Sequence, residues 1–573
     1  MKILSLHCDY IKFKAVKAAL KGAVLEKGEE KAVEIKEPLV VFTAVEKQDE
    51  DSETISEEYV KNVLDLMGKT GAKRVVLYPY AHLSPSLSKP DFAKQLLEEA
   101  EEELKLKKVE AYRAPFGFYK EFELKCKGHP LAELSRSIGK ELVEETTKKI
   151  VKEELYDPKK LLASISKSKL DTSKLKDNDH RILAQKLDLF SFNEVAPGMV
   201  FWHNNGLVIY NELSNYWKDE HRKAGYEEIS TPQILDNKLW KISGHWDKYK
   251  ENIFLTKYEG RDFAVKPMNC PGGMLVYKSK PKSYKDLPLK VAELGIVHRQ
   301  ELSGVLAGLF RVIKFTQDDA HIFCTEEQLE DEIEKVINLI SKMYKKLGIK
   351  LDHLELSTRP EKRIGDEKLW DKAEKILENV LKKTKSKYKL NPGDGAFYGP
   401  KIDFHIIDSL GRPWQCGTIQ LDFAMPERFE LEYIDKEGKI KRPVMLHRTV
   451  LGSLERFLGI LLEETNGNLP VWLSPVQVRV VNFTERNLKA AEKVLNKLRE
   501  EGIRVDSDFG NTTIGDKIRN AALMKIPYVI TLGDKEEEKG TIALKSRGKD
   551  KPEFGVRFDD FLKNLKEEIK ERS

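Results

Sequence analysis

The chain has 573 residues, room for three or four separately cored domains at ~150 residues each, which excludes a peptide or a single small module. Hydrophobic residues make up 40%, charged residues 34% and the net charge is +5, with a mean hydropathy of −0.49. This composition excludes a disordered or fibrous chain, while so near a balance of charge argues neither for nor against nucleic acid.

The first 145 residues alternate apolar strands (1–6, 39–45, 74–80) with charged helical stretches, notably 90–108, where Phe92, Leu96 and Leu97 keep helical spacing. They predict a small α/β domain. Residues 146–191 are rich in Lys, Glu and Ser with sparse apolar positions, which predicts a partly helical linker. From 192 to 468, long helical patterns such as 328–347 separate β-like runs, the pattern of an α+β domain around a mostly antiparallel sheet. From 469 to 573, strand 476–481, helix 485–501, strand 503–506, helix 515–524 and strand 528–532 alternate as βαβαβ units do, closed by a helix over 558–570. The expected fold class is therefore multidomain α/β and α+β. No apolar run reaches the ~18 residues of a membrane span, and the N-terminus meets polar groups too early for a signal peptide, so a cytoplasmic protein with no membrane partner is expected.

The most unusual segment is His298-Arg299-Gln300-Glu301, a Gly/Ser loop, then Arg311 and Phe315-Thr316-Gln317-Asp318-Asp319-Ala320-His321. Two arginines flanking an uncharged loop suit bidentate capture of a phosphate, and an aromatic between them can stack on a base. A hairpin with solvent-facing arginines is the alternative. On the apolar helix 452–463, Arg456 and Gly459 share a narrow polar stripe. That arginine needs either an internal carboxylate, such as Glu455 or Glu463, or a bound anion. Five cysteines with no C-x-x-C pair do not form a disulfide framework, and any metal site must be assembled from distant segments. Cys270 sits at a Pro/Gly turn and His321 and His447 in strand-like runs, each open to core packing or to ligation. In the first domain Phe118, Lys120, Phe122, Leu124 and Cys126 share one strand face. A lysine there is either an inward charge guarding an edge strand or a desolvated amine fitted for proton transfer, with Glu133 as a carboxylate partner.

Taken together these segments resemble threonyl-tRNA synthetases, colinearly from Gly198 onward. The 206–232 run looks like class II motif 1, the homodimer interface of that family. His298 through Asp319 looks like motif 2, and Leu451-Gly452-Ser453-Leu454-Glu455-Arg456 like motif 3. Similar to the threonine enzyme in particular are Lys266-Pro267-Met268-Asn269-Cys270-Pro271, Thr316 through His321, Gly395-Ala396-Phe397-Tyr398-Gly399-Pro400-Lys401 and Trp414-Gln415-Cys416-Gly417-Thr418. The resemblance implies one zinc ion per subunit on Cys270, His321 and His447, with Gln317, Asp319, Tyr398 and Gln420 around a bound threonine. It implies Arg299 on the substrate carboxylate and α-phosphate, Glu301 and Phe315 on adenine, and Arg311, Gln415, Thr418 and Arg456 as further ATP contacts. His245, in Ser243-Gly244-His245-Trp246, matches a histidine near the tRNA 3′ end, which implies a catalytic part in assisting transfer. The implied activity is formation of threonyl-adenylate from L-threonine and ATP with Mg²⁺, then transfer to tRNA(Thr).

A pocket that recognises the threonine hydroxyl rejects valine strongly, but serine lacks only a methyl group, worth ~1–3 kcal/mol and ~10- to 200-fold. Such an enzyme needs a second, hydrolytic site. Segment 116–136 resembles the archaeal editing domain of these synthetases, itself similar to D-aminoacyl-tRNA deacylases, with Lys120 and Glu133 at matching functional positions and Tyr119 and His82 nearby. The last domain resembles the class IIa anticodon-binding domain, with Asn511 and Glu536 at matching positions. Lys545 stands where bacterial relatives often carry an arginine, and lysine cannot reproduce a bidentate fork. Two other readings, a non-catalytic RNA-binding relative and an aminoacyl-tRNA hydrolase with a degenerate synthetase body, predict damaged motifs, whereas both arginines, the Cys/His set and Tyr398 are present.

Overall fold

A computed structural model of the protein describes residues 1–20, 23–26, 29–52, 54–84, 86–138, 157–165, 175–408 and 411–573. They fall into two compact units, Met1–Lys152 and Glu153–Ser573. The boundary expected at 145 lies outside the described residues.

The spine of the first unit is one strand of 17 residues, Lys2–Ala18. Its first half pairs antiparallel with Pro38–Ala44 and Glu133–Ser137, its second half with Val33–Lys36 and Phe118–Cys126. Strands Arg74–Pro79 and Glu110–Arg113 continue the sheet in parallel from Pro38–Ala44. The expected strand 1–6 ended too early: Ile11 and Phe13 are buried while Lys12 and Lys14 are exposed, which is strand alternation carried past Asp9. Helices Ile55–Thr70 and Pro90–Leu106 close one face with Val60, Val63, Leu66, Leu96 and Leu97, against Val41 and Leu77 of the sheet. Full burial of each such side chain contributes roughly 1.5–3 kcal/mol.

The second unit is built on an eight-stranded sheet in the order Glu227–Glu228, Leu289–His298, Lys314–Cys324, Val444–Thr449, Pro413–Asp422, Lys401–Ile407, Leu351–Ser357, Tyr388–Asn391. All inner pairs are antiparallel and only the two outermost are parallel, as the mostly antiparallel expectation requires. Because side chains alternate, Ala320, Ile322, Ile402 and Phe404 pack under helices Asn204–Lys223, Leu329–Lys346, Glu367–Lys383 and Leu454–Thr465. Their neighbours Gln317, Asp319, His321 and Asp403 are left on the other face. The expected linker includes helices Pro158–Ser164 and His180–Leu187; His180 is buried with Nδ1 2.7 Å from Glu463 Oε1.

At the C-terminal end, strand Val478–Asn482 lies between Val505–Asp508 and Tyr528–Leu532, parallel to both. Helices Leu488–Glu500, Ile514–Leu523 and Phe558–Glu571 match the expected alternation. Helix Asp534–Lys539 and the antiparallel strands Thr541–Ser546 and Glu553–Arg557 extend it beyond the βαβαβ pattern. No described helix is long and apolar enough to cross a membrane.

Candidate active site

The polar face of the large sheet forms the floor of a cleft of about 1080 Å³. Arg299, Glu301, Arg311, Phe315, Gln317, Asp319, Tyr398, Gln415, Thr418, Gln420, His447 and Arg456 all line it, with Cys270 at one end. Sheet register explains the convergence. His321 pairs directly with His447, His447 with Gln420, and Gln420 with Lys401, so one row across three ladders carries two imidazoles and an amide on one face.

Cys270 begins helix Cys270–Lys278, a short apolar helix with Pro271 in its first turn. Its thiol, one ring nitrogen of His321 and one of His447 lie within 4.8 Å of one another, all three residues buried. His321 Nε2 is buried with no hydrogen-bond partner, and burial holds its imidazole well below the usual pKa, in the neutral form that ligates metals. Burial beside Asp319 and Asp422 pushes the Cys270 thiol far up, so a thiolate here requires a cation. Asp422 Oδ2 lies 2.8 Å from His447 Nε2, the carboxylate–imidazole contact that orients a metal ligand. The three side chains fit a zinc ion.

The Arg299 guanidinium lies 5.2 Å from the Phe315 ring centroid, and its Nε donates to the Pro267 carbonyl. Arg311 pairs with Glu301 at 3.0 Å. Arg456 has neither of the carboxylate partners weighed from its sequence. Glu455 accepts from the Thr316 backbone amide at 2.9 Å, and Glu463 is taken by His180 and Arg412. Arg456 Nε donates instead to the Phe310 carbonyl, with its guanidinium over Trp414 in the cleft. A half-buried cation held, among the described residues, by a carbonyl and an aromatic face is suited to an anion. The Tyr398 hydroxyl donates to Gln420 Oε1, and its ring lies 4.9 Å from that of His447. His245 is fully buried between Trp240 and Phe397 with Nδ1 2.8 Å from Ser243 Oγ; burial lowers its pKa to about 3. It is packed behind Phe397 rather than open to the cleft.

Three acidic groups that organise this site were not singled out from the sequence. Asp403, 1% exposed, accepts from Thr418 Oγ1 and Ser357 Oγ at 2.9 Å, from Gln415 Nε2, and pairs with Lys401 at 2.8 Å. Asp318 accepts from Trp217 Nε1 and from the amides of Val450 and Leu451, and pairs with the fully buried Arg448 at 3.2 Å, joining motif 2 to motif 3. The third is Asp422. The polar/apolar alternation of Lys401, Ile402, Asp403, Phe404 was a legible signal for Asp403; nothing local distinguishes Asp422.

In the first unit Lys120 does face inward. Its Nζ donates to the carbonyls of Pro115 and Phe118 at 2.9 and 3.1 Å and lies 5.0 Å from the Tyr78 ring, and desolvation lowers its pKa to about 8. Tyr78, Phe42, Phe122 and Tyr80 form an aromatic cluster that runs on to the exposed His82, 5.4 Å from Tyr80. Two expected neighbours are not joined to it. Tyr119, 65% exposed, has the opposite strand phase, and Glu133, exposed and paired with Leu6 across the sheet, makes no ion pair with Lys120 among the described residues. The carboxylate partner expected there is replaced by the two carbonyls, and the acidic field felt by Lys120 comes from Glu29.

In the C-terminal sheet Asn511 and Glu536 follow the carboxyl ends of Val505–Asp508 and Tyr528–Leu532, the two parallel neighbours on either side of the central strand Val478–Asn482. The exposed Phe483 lies at the same edge and was not singled out from the sequence. Lys545 is opposite Val529, toward the other end of that strand, and its amine donates to the Lys549 carbonyl. The structure does not bring it together with Asn511 and Glu536.

Residues 1–138 match the archaea-specific editing domain of threonyl-tRNA synthetase, 254–465 the tRNA synthetase class II core domain (G, H, P, S and T), and 477–568 an anticodon binding domain. The threonine–tRNA ligase of Carboxydothermus hydrogenoformans is 54% identical over 398 residues, and that of Acetivibrio thermocellus 56% over 397. Each match covers 69% of this chain, and the chain spans 62% of the length of both relatives. A solved structure of the RNA binding domain of threonyl-tRNA synthetase from Cryptosporidium parvum aligns with a TM-score of 0.66 at 42% identity, covering 68% of this chain and 98% of that one. With an editing domain, a class II catalytic core and an anticodon-binding domain in one polypeptide, the chain belongs to the threonyl-tRNA synthetase family.

Proposed function

We propose that the protein is a threonine–tRNA ligase that activates L-threonine with ATP and Mg²⁺, transfers it to tRNA(Thr), and clears mischarged seryl-tRNA(Thr) in its N-terminal unit. The observation that carries the reading is the single cleft in which a buried Cys/His/His set, two arginines and the Tyr398–Gln420 pair converge.

In this reading threonine lies among Gln317, Asp319, Tyr398 and Gln420. Cys270, His321 and His447 would hold one zinc ion per subunit, which when bound supplies a Lewis acid for the amine and hydroxyl of the substrate. Phe315 stacks on adenine, and Glu301, Arg311, Gln415 and Thr418 hold the nucleotide, with Asp403 fixing the last two. The substrate carboxylate attacks the α-phosphorus, the bond to the bridging oxygen breaks, and pyrophosphate leaves. Charge spreads over the phosphoryl oxygens as this happens, and Arg299 and Arg456 neutralise it from fixed positions, which is where preorganised cations lower a barrier most. His245 acts by holding Phe397 and the cleft wall at the tRNA 3′ end.

Lys120, beside the aromatic cluster that runs on to His82, serves hydrolytic editing, its near-neutral pKa fitting it to exchange a proton, with Tyr119 and Glu133 outside its immediate contacts. Asn511 and Glu536 belong to the anticodon contact, with Lys545 apart from them on its own strand. The same reading gives domains 1–145, 146–191, 192–468 and 469–573, a homodimer through helix Asn204–Lys223 and its following strand, and a cytoplasmic location beside tRNA. The test is amino-acid-dependent ATP–pyrophosphate exchange across all twenty amino acids. Strong exchange with threonine, weaker with serine and negligible with valine is expected; no exchange with any amino acid refutes the synthetase reading.

A further inference from the structure

A second constellation of metal-ligand type lies outside the synthetic cleft, on the strands Leu351–Ser357 and Lys401–Ile407. His353 and His405 are cross-strand partners, and Glu355 is two residues along on the same face. The two imidazoles stack in parallel, 4.6 Å between centroids and 5° between planes. Glu355 turns one oxygen to each of them: Oε1 is 3.1 Å from His353 Nε2 and Oε2 is 3.4 Å from His405 Nε2. Ligand atoms bound at 2.0–2.1 Å in a tetrahedral zinc site stand about 3.3 Å apart, and the ligand atoms of these three residues all lie within 4.8 Å of one another, so modest turns of the two rings would bring them onto one ion.

Three further observations point the same way. His405 Nε2 is buried and makes no hydrogen bond among the described residues, although an ordinary His–Glu contact would have satisfied it. The other nitrogen of His353 is held by the Asp352 carboxylate, which orients the imidazole as outer carboxylates do at metal sites. A register shift between Leu351 and His353 inserts Asp352 as an extra residue and so places that carboxylate beside the ring. Asn391 Nδ2 donates to Glu355 Oε2 at 3.0 Å and fixes the carboxylate. The side chains of His353, Glu355 and His405 are 17%, 22% and 17% exposed, leaving the group open to solvent on one side.

We infer that His353, Glu355 and His405 form a second metal site, for a divalent transition ion of the zinc class with water at the open position. Two imidazoles and a carboxylate with an open fourth place are a donor set such ions favour, and Mg²⁺ or Ca²⁺, which want oxygen donors, would be refused. An ion here ties the two strands together two residues from Asp403, the carboxylate that fixes Gln415 and Thr418.

The experiment is zinc counting on the full chain, loaded with zinc and passed through gel filtration in metal-free buffer, for the wild type and for H405Q, E355Q and C270S. The wild type should retain two ions per chain, and H405Q and E355Q one fewer than the wild type. C270S, which touches only the cleft site, should keep the ion at His405. With Co²⁺ in place of zinc, C270S should show tetrahedral ligand-field bands without a thiolate charge-transfer band, and adding H405Q should abolish them. A zinc count unchanged in both H405Q and E355Q, or C270S protein with no cobalt bands, overturns the inference. A count lowered by H405Q but not by C270S would instead refute zinc at Cys270 and leave the second site standing.

Discussion

Arg456 separates a structural cation from a functional one. A guanidinium that held the fold would have a buried carboxylate, whereas Arg456 has a carbonyl and the Trp414 ring. Arg456→Ala should therefore lower kcat/KM for ATP–pyrophosphate exchange by about 10²- to 10³-fold, the usual effect of deleting one preorganised charge partner. Its melting temperature should stay within a degree or two, and a matching loss of stability would mark Arg456 as a structural residue. Lys120 is the corresponding residue in the first unit. Its folded pKa of about 8 lies below the 10.5 of a free lysine, so the ammonium form is the disfavoured one. Seryl-tRNA hydrolysis that needs the neutral amine should rise with pH through about 8. Lys120→Met should remove that limb and let seryl-tRNA accumulate while threonine activation stays intact; unchanged clearance in the variant would reject the assignment.

Among the elements, the motif 2 strand and motif 3 helix are joined by two buried carboxylates with different behaviour. Glu455, at the start of Leu454–Thr465, accepts from the Thr316 amide, and its burial raises its pKa to about 7. A carboxyl that holds its proton more tightly when folded stabilises the fold below its unfolded pKa, and that contribution is lost as pH rises through the folded value. Stability should fall between about pH 4.5 and 7 on this account, and Glu455→Gln should flatten that fall in denaturation curves measured across the window. Asp318 is paired with Arg448, both 0% exposed, and Asp318→Ala would leave that guanidinium buried alone at a cost of about 3–5 kcal/mol. Much of this scale was legible beforehand. Strand alternation gives Lys120, and the motif segments give Arg299, Arg456 and the Cys/His set. The connection Asp318–Arg448 was not, because it spans 130 residues and only the folded register puts those side chains together. Nor was the engagement of Glu455 by a backbone amide, since backbone partners leave no trace in residue identity.

For the whole molecule, composition and periodicity are enough to read an α/β start, an antiparallel core and an α/β end, because the order in which helical and strand periods follow one another differs between them. They miss the antiparallel strands Thr541–Ser546 and Glu553–Arg557, short runs broken by charge and by Gly555. They also miss how the C-terminal sheet is held to the catalytic core. Arg504 pairs with Glu212 at 2.8 Å and donates to the carbonyls of Trp472 and Ser474, while Arg572 reaches Asp219 and lies over Tyr216 and Trp472. Both acids project from Asn204–Lys223, so one helix carries the C-terminal sheet and packs Trp217 against the catalytic sheet. Partly exposed pairs contribute only ~1 kcal/mol each, too little to decide whether the unit folds but enough to set how firmly one sheet is held against the other. Removing both arginines should therefore leave threonine-dependent exchange at its wild-type rate, since no cleft residue is touched. On the proposed function, aminoacylation of tRNA(Thr) engages the cleft and the edge at Asn511 and Glu536 together, and it should lose about five- to tenfold in kcat/KM, mostly through KM for tRNA, as two such pairs would suggest. An equal loss in both assays would mean that these contacts support the cleft itself and not the span between the two tRNA ends.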